Sequence, residues 1–270
     1  MMKKINKYLY SFKIGLQNSL EYRFDFFLSI VASMFPVVVQ FFVWQAVYTN
    51  SSETVINGYT FSGLMLYLVL ASVVSKFVSS GFEYEIASDI KNGYLSRFII
   101  MPISYLNYRI FRFFGQKLIH FIISLIVLFV SVTTLHGILS FDLVYGRLFI
   151  FFLVLILAVI LNFMIFYALS TVSFWLIEIW GVIISSRLVI NIASGGLLPL
   201  AVLGKHTESI LNFFPFKYTI FFPISILLDE VSIRQVIFGI LIQIFWIILI
   251  FILARIMWGL GMKKYISAGG

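Results

Sequence analysis

Long apolar runs separated by polar connectors fill most of the chain from residue 26 onward. A helix needs about 20 predominantly apolar residues to cross a bilayer. The stretches that meet this requirement are 26–48, 61–82, 118–135, 148–171, 179–203 and 236–260. The pattern therefore predicts an all-α, polytopic membrane protein with six transmembrane helices, in which residues 1–270 form a single transmembrane domain.

Residues 1–25 precede the first of these runs and have a helical periodicity instead of a continuous apolar stretch. Apolar side chains fall in one stripe of the helix, and lysines occupy the opposite face. The stripe consists of Ile5, Leu9, Phe12, Leu16 and Leu20, and the lysines are Lys3, Lys4 and Lys7. A cationic amphipathic helix of this kind is expected to lie flat in the cytoplasmic headgroup layer. A plain positively charged leader before the first span is the alternative.

The connector 83–117 begins with a pattern that predicts a short helix. Ile86 and Ile90 are four residues apart and therefore share one helical face. Gly93 follows at the position where a residue with left-handed backbone ends a helix. The charged side chains of this helix are expected to face water, and they are Glu83, Glu85, Asp89 and Lys91.

The stretch that begins at this glycine is apolar but interrupted. After Gly93 it reads YLSRFIIMP, so that Arg97 divides the apolar residues and Pro102 ends them. Residues 93–102, called the knob below, are predicted to form a small rigid protrusion just outside the membrane. A half-apolar protrusion suits docking into a groove on another protein. A loop that only returns the chain to the membrane is the alternative.

The connector 204–235 is too apolar to lie in water, yet Pro215 and Pro223 cut it below spanning length. Backbone groups at membrane depth must find their hydrogen bonds within the protein. A re-entrant or interfacial helical hairpin on the outer face is therefore predicted.

A helix break is predicted just before this connector, at residues 194–200, which read SGGLLPL. Gly195 and Gly196 lower the stability of a helix, and Pro199 cannot continue one. The fifth predicted span should therefore end here.

The distribution of cations predicts the orientation, because Lys and Arg are retained on the cytoplasmic side. One set of connectors and both termini hold Lys3, Lys4, Lys7, Lys13, Arg23, Lys76, Lys91, Arg97, Arg109, Arg112, Lys117, Arg255, Lys263 and Lys264. The alternate connectors hold only Arg147, Lys205, Lys217 and Arg234. Both termini and the knob are therefore predicted to be cytoplasmic.

Composition agrees with a lipid environment. The chain is 61% hydrophobic and 11% charged, whereas about a quarter of the residues in soluble domains are charged. The net charge of +8 is explained by cytoplasmic retention of cations, so that no nucleic-acid partner is expected.

The sequence offers little for catalysis or metal binding. Cysteine is absent, and His120, His136 and His206 have no metal-ligand spacing. The segment GKHT at 204–207 lacks the glycine and hydroxyl pattern of a phosphate-binding loop. The chain is therefore predicted to be no enzyme, and to hold no metal, cofactor or ATP site of its own.

The order of these features resembles the permease subunits of ATP-binding-cassette (ABC) exporters of the type-2 class. It is most similar to a less characterised branch whose chains are about as long as this one. The matching residues are Ile90, Gly93, Leu95, Pro102 and Ile103, then Ser194, Gly195, Gly196 and Pro199, then Phe214, Pro215, Phe216, Tyr218 and Pro223. One departure lies in the knob, where residues 98–101 are apolar and Arg97 comes earlier than the family's arginine.

The resemblance implies that the knob and the short helix before it form a coupling helix, which sits in a socket on a separate ATPase subunit. The residues expected to form it are Ile86, Asp89, Ile90, Lys91, Gly93, Tyr94, Leu95, Arg97 and Pro102. The second motif is expected to shape the outer half of the protein through Gly195, Gly196, Pro199, Pro215 and Pro223.

The resemblance also implies the assembly and its cargo. Two copies of an ABC ATPase would bind ATP and Mg, and a second permease, identical or different, would complete the passage in the cell membrane among its lipids. The expected cargo is a hydrophobic or amphipathic compound such as a drug, peptide or lipid. The alternatives are an exporter of lipid-linked polysaccharide and, from other classes, a polytopic membrane enzyme or a stand-alone immunity protein.

The passage is expected to lie near the second and fifth helices, where Tyr67, Arg187 and Asn191 are the candidate lining residues. An arginine at the depth of Arg187 is costly and commonly functional.

Overall fold

The computed structural model describes residues 2–139, 145–176, 178–228 and 231–265. The α-helices in chain order are α1 (Met2–Glu21), α2 (Arg23–Asn50), α3 (Phe61–Val78), α4 (Phe82–Lys91), α5 (Ser96–Ile100), α6 (Tyr105–Leu139), α7 (Tyr145–Thr171), α8 (Trp180–Ala193), α9 (Lys205–Leu211), α10 (Phe221–Leu227) and α11 (Ile233–Met262). Strands β1 (Val55–Ile56) and β2 (Tyr59–Thr60) form a hairpin, and 3₁₀ turns lie at Val172–Phe174, Leu200–Leu203 and Phe216–Tyr218.

Four helical stretches in the described part of the chain are long and apolar enough to cross a membrane. They are Arg23–Asn50, Phe61–Lys91, Arg147–Phe174 and Ile233–Met262. An all-α polytopic membrane protein, as predicted from the apolar runs, is therefore confirmed.

The six-helix count remains a prediction. The predicted span 118–135 falls within the 35-residue helix α6, but its side chains from 127 onward lie outside the described residues. The predicted span 179–203 is divided in the structure, because α8 has 14 residues and is followed by the turn at 194–199.

The core is built around α3, which packs against α2, α6, α7 and α10. Along it, Leu64, Tyr67 and Leu70 are at most 1% exposed. Phe35 of α2 and Phe238 of α11 are by contrast 71% and 65% exposed. Large apolar side chains on a helix surface are favourable when the surrounding solvent is lipid.

The N-terminal helix α1 packs along α6 through small residues. Gly15 and Gly115 lie where the two backbones touch, since a Cβ on Gly15 would overlap the carbonyl of Arg112. The Ser19 hydroxyl donates to the Gln116 carbonyl at 2.8 Å. Of the apolar stripe predicted from the sequence, Leu9 and Leu20 are 51% and 43% exposed, whereas the backbones of Phe12 and Leu16 lie against Gly115.

Three parts of the chain meet at one end of the molecule, called the knob end below. The Tyr8 hydroxyl of α1 accepts a hydrogen bond from the Ser104 amide at 3.1 Å. Near the C-terminus, the Tyr265 hydroxyl accepts one from the Ser96 amide at 3.2 Å. The N-terminal helix, the knob and the end of α11 therefore lie on the same side of the molecule.

The opposite end, called the far end below, is formed by the β1–β2 hairpin, the turn at 194–199 and residues 204–228. The Tyr48 hydroxyl donates to the Tyr59 carbonyl at 2.6 Å and so fixes the hairpin. Helices α9 and α10 are short, and α10 is buried against α7 and α3. The re-entrant or interfacial hairpin on the outer face stays a prediction, and residues 229–230 of that connector lie outside the described part.

Candidate coupling site and membrane cavity

The knob begins where α4 ends. Gly93 has φ +76°, the left-handed backbone expected from the sequence, and the Leu95 amide donates to the Asp89 carbonyl at 2.9 Å. Leu95 is 1% exposed and anchors the turn in the core. Helix α5 then forms the body of the knob.

The outer surface of the knob is apolar. Ile100 is 84% exposed, and its neighbours Ile99 and Met101 are 53% and 46% exposed. The Arg97 guanidinium lies 5.2 Å from the centre of the Tyr94 ring, so that its charge is held at the edge of this surface. An exposed apolar group of this kind marks a protein or membrane contact.

The predicted coupling residues therefore divide into two sets. Ile86, Asp89, Ile90 and Leu95 are buried, whereas Lys91, Tyr94, Arg97 and Pro102 are exposed around the Gly93 turn. Sequence reasoning did not select Ile99, Ile100 and Met101, although their signal was present. An apolar run between an arginine and a proline is too short to span a membrane and must find another partner.

Two carboxylates of α4 bind Arg109 of α6. The Arg109 guanidinium donates to Glu85 and to Asp89, and its Nε donates to the Tyr105 hydroxyl at 3.0 Å. Asp89 is 7% exposed, so the expectation that it faces water is wrong. It is buried because it has a complete set of charged and hydroxyl partners.

Tyr105 completes this cluster by donating to Asp89 Oδ2 at 2.7 Å. Burial raises the pKa of Tyr105 well above its ordinary value, and the Asp89 carboxylate adds to the rise. The phenol therefore stays protonated and keeps its donor role.

Glu83, at the start of α4, binds Arg187 of α8. The Arg187 Nε donates to Glu83 Oε1 at 2.6 Å, and its second nitrogen contacts the same oxygen. Glu83 is 0% exposed, so the expectation of a solvated carboxylate at this position is wrong. The partner lies 104 residues away in the chain, which no local pattern shows.

The break between α3 and α4 exposes four successive carbonyls, at residues 77–80, that lack helical partners. Lys117 of α6 donates to the first and third of these, Asn162 of α7 to the second and Arg187 of α8 to the fourth. Backbone polar groups in a low-dielectric core must be satisfied in this way. Three other helices therefore hold the break that joins the knob's helix to the core.

A cavity of about 470 Å³ lies between α2, α3, α7 and α8, beside this break. Its polar lining consists of Ser33, Gln40, Ser72, Ser75, Lys76, Ser79, Ser80, Asn162, Arg187, Asn191, Ser194 and Thr219. Its apolar lining includes Val37, Leu68, Leu188, Ile190, Leu197 and Ile220. A cavity of mixed lining within an apolar protein is suited to an amphipathic ligand.

Two of the three candidate passage residues line this cavity, and the third does not. Arg187 and Asn191 are both in its wall. Tyr67 is 0% exposed, and its hydroxyl donates to the Gly195 carbonyl at 2.7 Å. The structure therefore places Tyr67 in the packing under the turn at 194–199.

The residues of the second predicted motif lie at the far end. Gly195 has φ +82°, and a Cβ there would lie 2.6 Å from the Tyr67 hydroxyl. A Cβ on Gly196 would overlap the Asn191 side chain. Pro199 and Pro215 each precede a 3₁₀ turn, and Pro223 is buried in α10.

The described residues contain no group of histidines and carboxylates that could hold a metal ion. The fold and the site therefore define a polytopic membrane protein with an exposed knob, a broken helix and a cavity between helices. The family model of the ABC-2 family transporter protein matches residues 34–269, and the chain belongs to this family. It is thus a permease component of an ABC transporter. No curated protein and no solved structure matches the chain.

Proposed function

We propose that the chain is the permease subunit of an ABC exporter and that separate ATPase subunits drive it through the knob. Two ATPase subunits, with ATP and Mg, would bind a pair of permeases, of which the second is identical or different. The termini and the knob would be cytoplasmic in the cell membrane. The observation that carries this proposal is an exposed apolar knob whose supporting helix is ion-paired to α6 and α8.

The ion pairs supply a route from the knob to the cavity. Helix α4 is joined to α6 through Arg109 and to α8 through Arg187. Arg187 also binds the Ser80 carbonyl at the break and lines the cavity. A displacement of the knob would therefore move two helices and one wall of the cavity together. Coupling of this kind needs two arrangements of the same element, biased by binding at each site.

The mixed lining of the cavity supports a hydrophobic or amphipathic cargo such as a drug, peptide or lipid. Apolar side chains from α2, α3 and α8 supply contact area, and amide and hydroxyl groups supply orientation. An exporter of lipid-linked polysaccharide is the second candidate, because the hydroxyl and amide groups also suit a sugar headgroup.

The test of the knob compares two residues of equal exposure. Ile100 in the knob is 84% exposed and Phe213 at the far end is 83% exposed. We expect Ile100→Glu to abolish co-purification of ATPase activity with the tagged chain in mild detergent, and Phe213→Glu to leave it unchanged. Equal ATPase recovery with both variants would contradict the proposal.

A second test addresses movement instead of docking. Gly93→Val forces a β-branched residue into a positive-φ position, which is strained for any side chain of that shape. We expect the reconstituted complex to hydrolyse ATP without a matching rate of transport. Hydrolysis and transport that stay coupled in this variant would count against the role of the knob.

Orientation can be tested because the chain has no cysteine. Ile100→Cys should react with a membrane-impermeant thiol reagent only after the cells are opened, and Phe213→Cys should react in intact cells. The reverse pattern would overturn the cytoplasmic placement of the knob.

A further inference from the structure

We propose that the cavity between α2, α3, α7 and α8 is a binding site for an amphiphile with an anionic, hydroxyl-bearing headgroup, and that Lys76 binds the anion. The inference rests on the proposed function, because it names the class of cargo that the same passage would take. It is carried by an imbalance of charge within the cavity wall.

Two cations line the cavity, and they differ in their partners. Arg187 is neutralised by Glu83 and also binds the Ser80 carbonyl. Lys76, in the last turn of α3, has no carboxylate partner among the described residues and is half-buried. A desolvated ammonium without a counter-charge is costly. An anionic ligand at this point would remove that cost.

Neutral groups in the same wall also lack partners. The Gln40 Oε1 and Ser75 Oγ atoms are buried and form no hydrogen bond with the described residues. Ser75 adjoins Lys76 in α3, and Gln40 of α2 lines the same cavity. An acceptor oxygen without a donor favours a ligand that carries hydroxyl groups beside its anion.

The remaining walls accommodate an apolar part. Leu68 lies eight residues before Lys76 in the same helix, which is about 12 Å along the axis at 1.5 Å per residue. Leu197 and Ile220 belong to the wall at the far end. The volume of about 470 Å³ holds a headgroup with the first part of its acyl chains. A cationic cargo is disfavoured because Lys76, the cation of the cavity wall without a carboxylate partner among the described residues, is itself positively charged.

The test measures binding to the purified full chain in non-ionic detergent. The probes are dihexanoyl phosphatidylglycerol, which is anionic with two free hydroxyls, dihexanoyl phosphatidylcholine, which is zwitterionic, and inorganic phosphate alone. We expect the phosphatidylglycerol to bind about tenfold more tightly than the phosphatidylcholine, as for one charge-assisted contact. Equal affinity for the two lipids would overturn the proposal.

Variants of Lys76 distinguish binding of the lipid headgroup at this site from a general attraction of anionic lipids to a cationic protein. Lys76→Gln should remove the preference for the anionic lipid, and Lys76→Arg should retain it and so show that the fold tolerates substitution here. Lys263→Gln removes an exposed cation outside the cavity and should change nothing. An unchanged preference in Lys76→Gln would overturn the proposal, as would inorganic phosphate binding as tightly as the lipid.

The same preparations distinguish this inference from the proposed function. ATPase activity that co-purifies with the chain reports on the knob, which lies outside the cavity. If the unmodified chain retains the ATPase but binds the two lipids equally, the headgroup site alone is overturned. Absence of the ATPase with lipid preference intact would overturn the proposed function and leave the site standing.

Discussion

The two ends of the molecule differ in their ion pairs, although close packing of glycines and aromatic rings occurs at both, as between Gly261 and Phe174 at the knob end. At the knob end, carboxylates of α4 bind arginines of α6 and α8 through Asp89–Arg109 and Glu83–Arg187. At the far end, aromatic and small residues interlock, so that a Cβ on Gly239 would overlap the Phe222 ring. Gln243 of α11 also donates to the carbonyls of residues 154 and 218, at 3.2 and 3.0 Å.

This difference fits the parts that the ends would take in transport. Ion pairs between long side chains can follow a helix over a short displacement and can change partners, because Arg109 already contacts two carboxylates. Close steric contacts between backbone and rings admit one arrangement. The knob end is therefore suited to receive a movement, and the far end to act as a fixed frame.

The largest effect is expected from a substitution that removes an ion pair at the knob end. Arg187→Met leaves the carboxylate of Glu83, which is 0% exposed, without its cation. An unpaired buried charge costs about 3–5 kcal/mol. We expect the variant to unfold at much lower temperature in detergent, as measured by tryptophan fluorescence.

The matched control removes the stranded charge as well. The double variant Glu83→Gln with Arg187→Met should recover most of the lost stability, since a neutral amide is far less costly to bury. If the double variant is as unstable as Arg187→Met alone, lost packing instead of lost charge explains the effect.

The next largest effect is expected from a substitution in the close packing of the far end. Gly195→Ala combines a positive φ of +82° with a Cβ that would lie 2.6 Å from the Tyr67 hydroxyl. Backbone strain and overpacking together should cost about 2–4 kcal/mol. Thermal unfolding in detergent measures this loss.

Gly58 in the β1–β2 hairpin separates the two causes. Its φ is +87°, yet a Cβ there would meet no atom within 4 Å. Gly58→Ala should therefore show only the backbone cost, about 1–2 kcal/mol. Equal losses for Gly58→Ala and Gly195→Ala would mean that the far end is not sterically tight.

A third prediction sharpens the comparison, because the knob end also contains steric contacts, one of which joins α1 to α6. A Cβ on Gly15 of α1 would overlap the Arg112 carbonyl of α6. Gly15→Ala should force the helices apart and cost about 1–3 kcal/mol. A Cβ on Gly181 of α8 would meet no atom within 4 Å, and Gly181→Ala should be neutral or stabilising. Limited proteolysis of α1 and thermal unfolding are measured for both variants. If α1 in Gly15→Ala is as resistant to protease as in the unmodified chain, the close contact between α1 and α6 is contradicted.

Local patterns in the sequence predicted the end of α4 and the turn that begins the knob, but not the short helix α5. The isoleucine pair and Gly93 gave the end of α4, since a helical face and a left-handed glycine are properties of a few consecutive residues. The break at 194–199 followed for the same reason, from two glycines and a proline.

The charges of α4 could not be placed in this way. Glu83 and Asp89 carry no sign of their burial, because their partners Arg187 and Arg109 lie 104 and 20 residues further along the chain. The face of α1 that packs on α6 was not predicted either. Its apolar stripe is the obvious signal, whereas the buried contact is made by Ser11, Gly15 and Ser19, whose small size matters only once α6 is in place.

The smallest expected effect tests whether the C-terminal segment stabilises the knob. The Tyr265 hydroxyl accepts from the Ser96 amide at 3.2 Å and lies 3.0 Å from the Ser96 hydroxyl. Tyr265→Phe removes these hydrogen bonds, keeps the ring, and should cost about 0.5–1.5 kcal/mol. Hydrogen exchange at the Ser96 amide should therefore quicken in Tyr265→Phe, while exchange at the Ser104 amide, which Tyr8 binds, stays the same. The separate hydrogen bonds indicate that the two attachments to the termini are independent. If exchange quickens equally at both amides, this expectation is wrong and the knob unfolds as one cooperative unit.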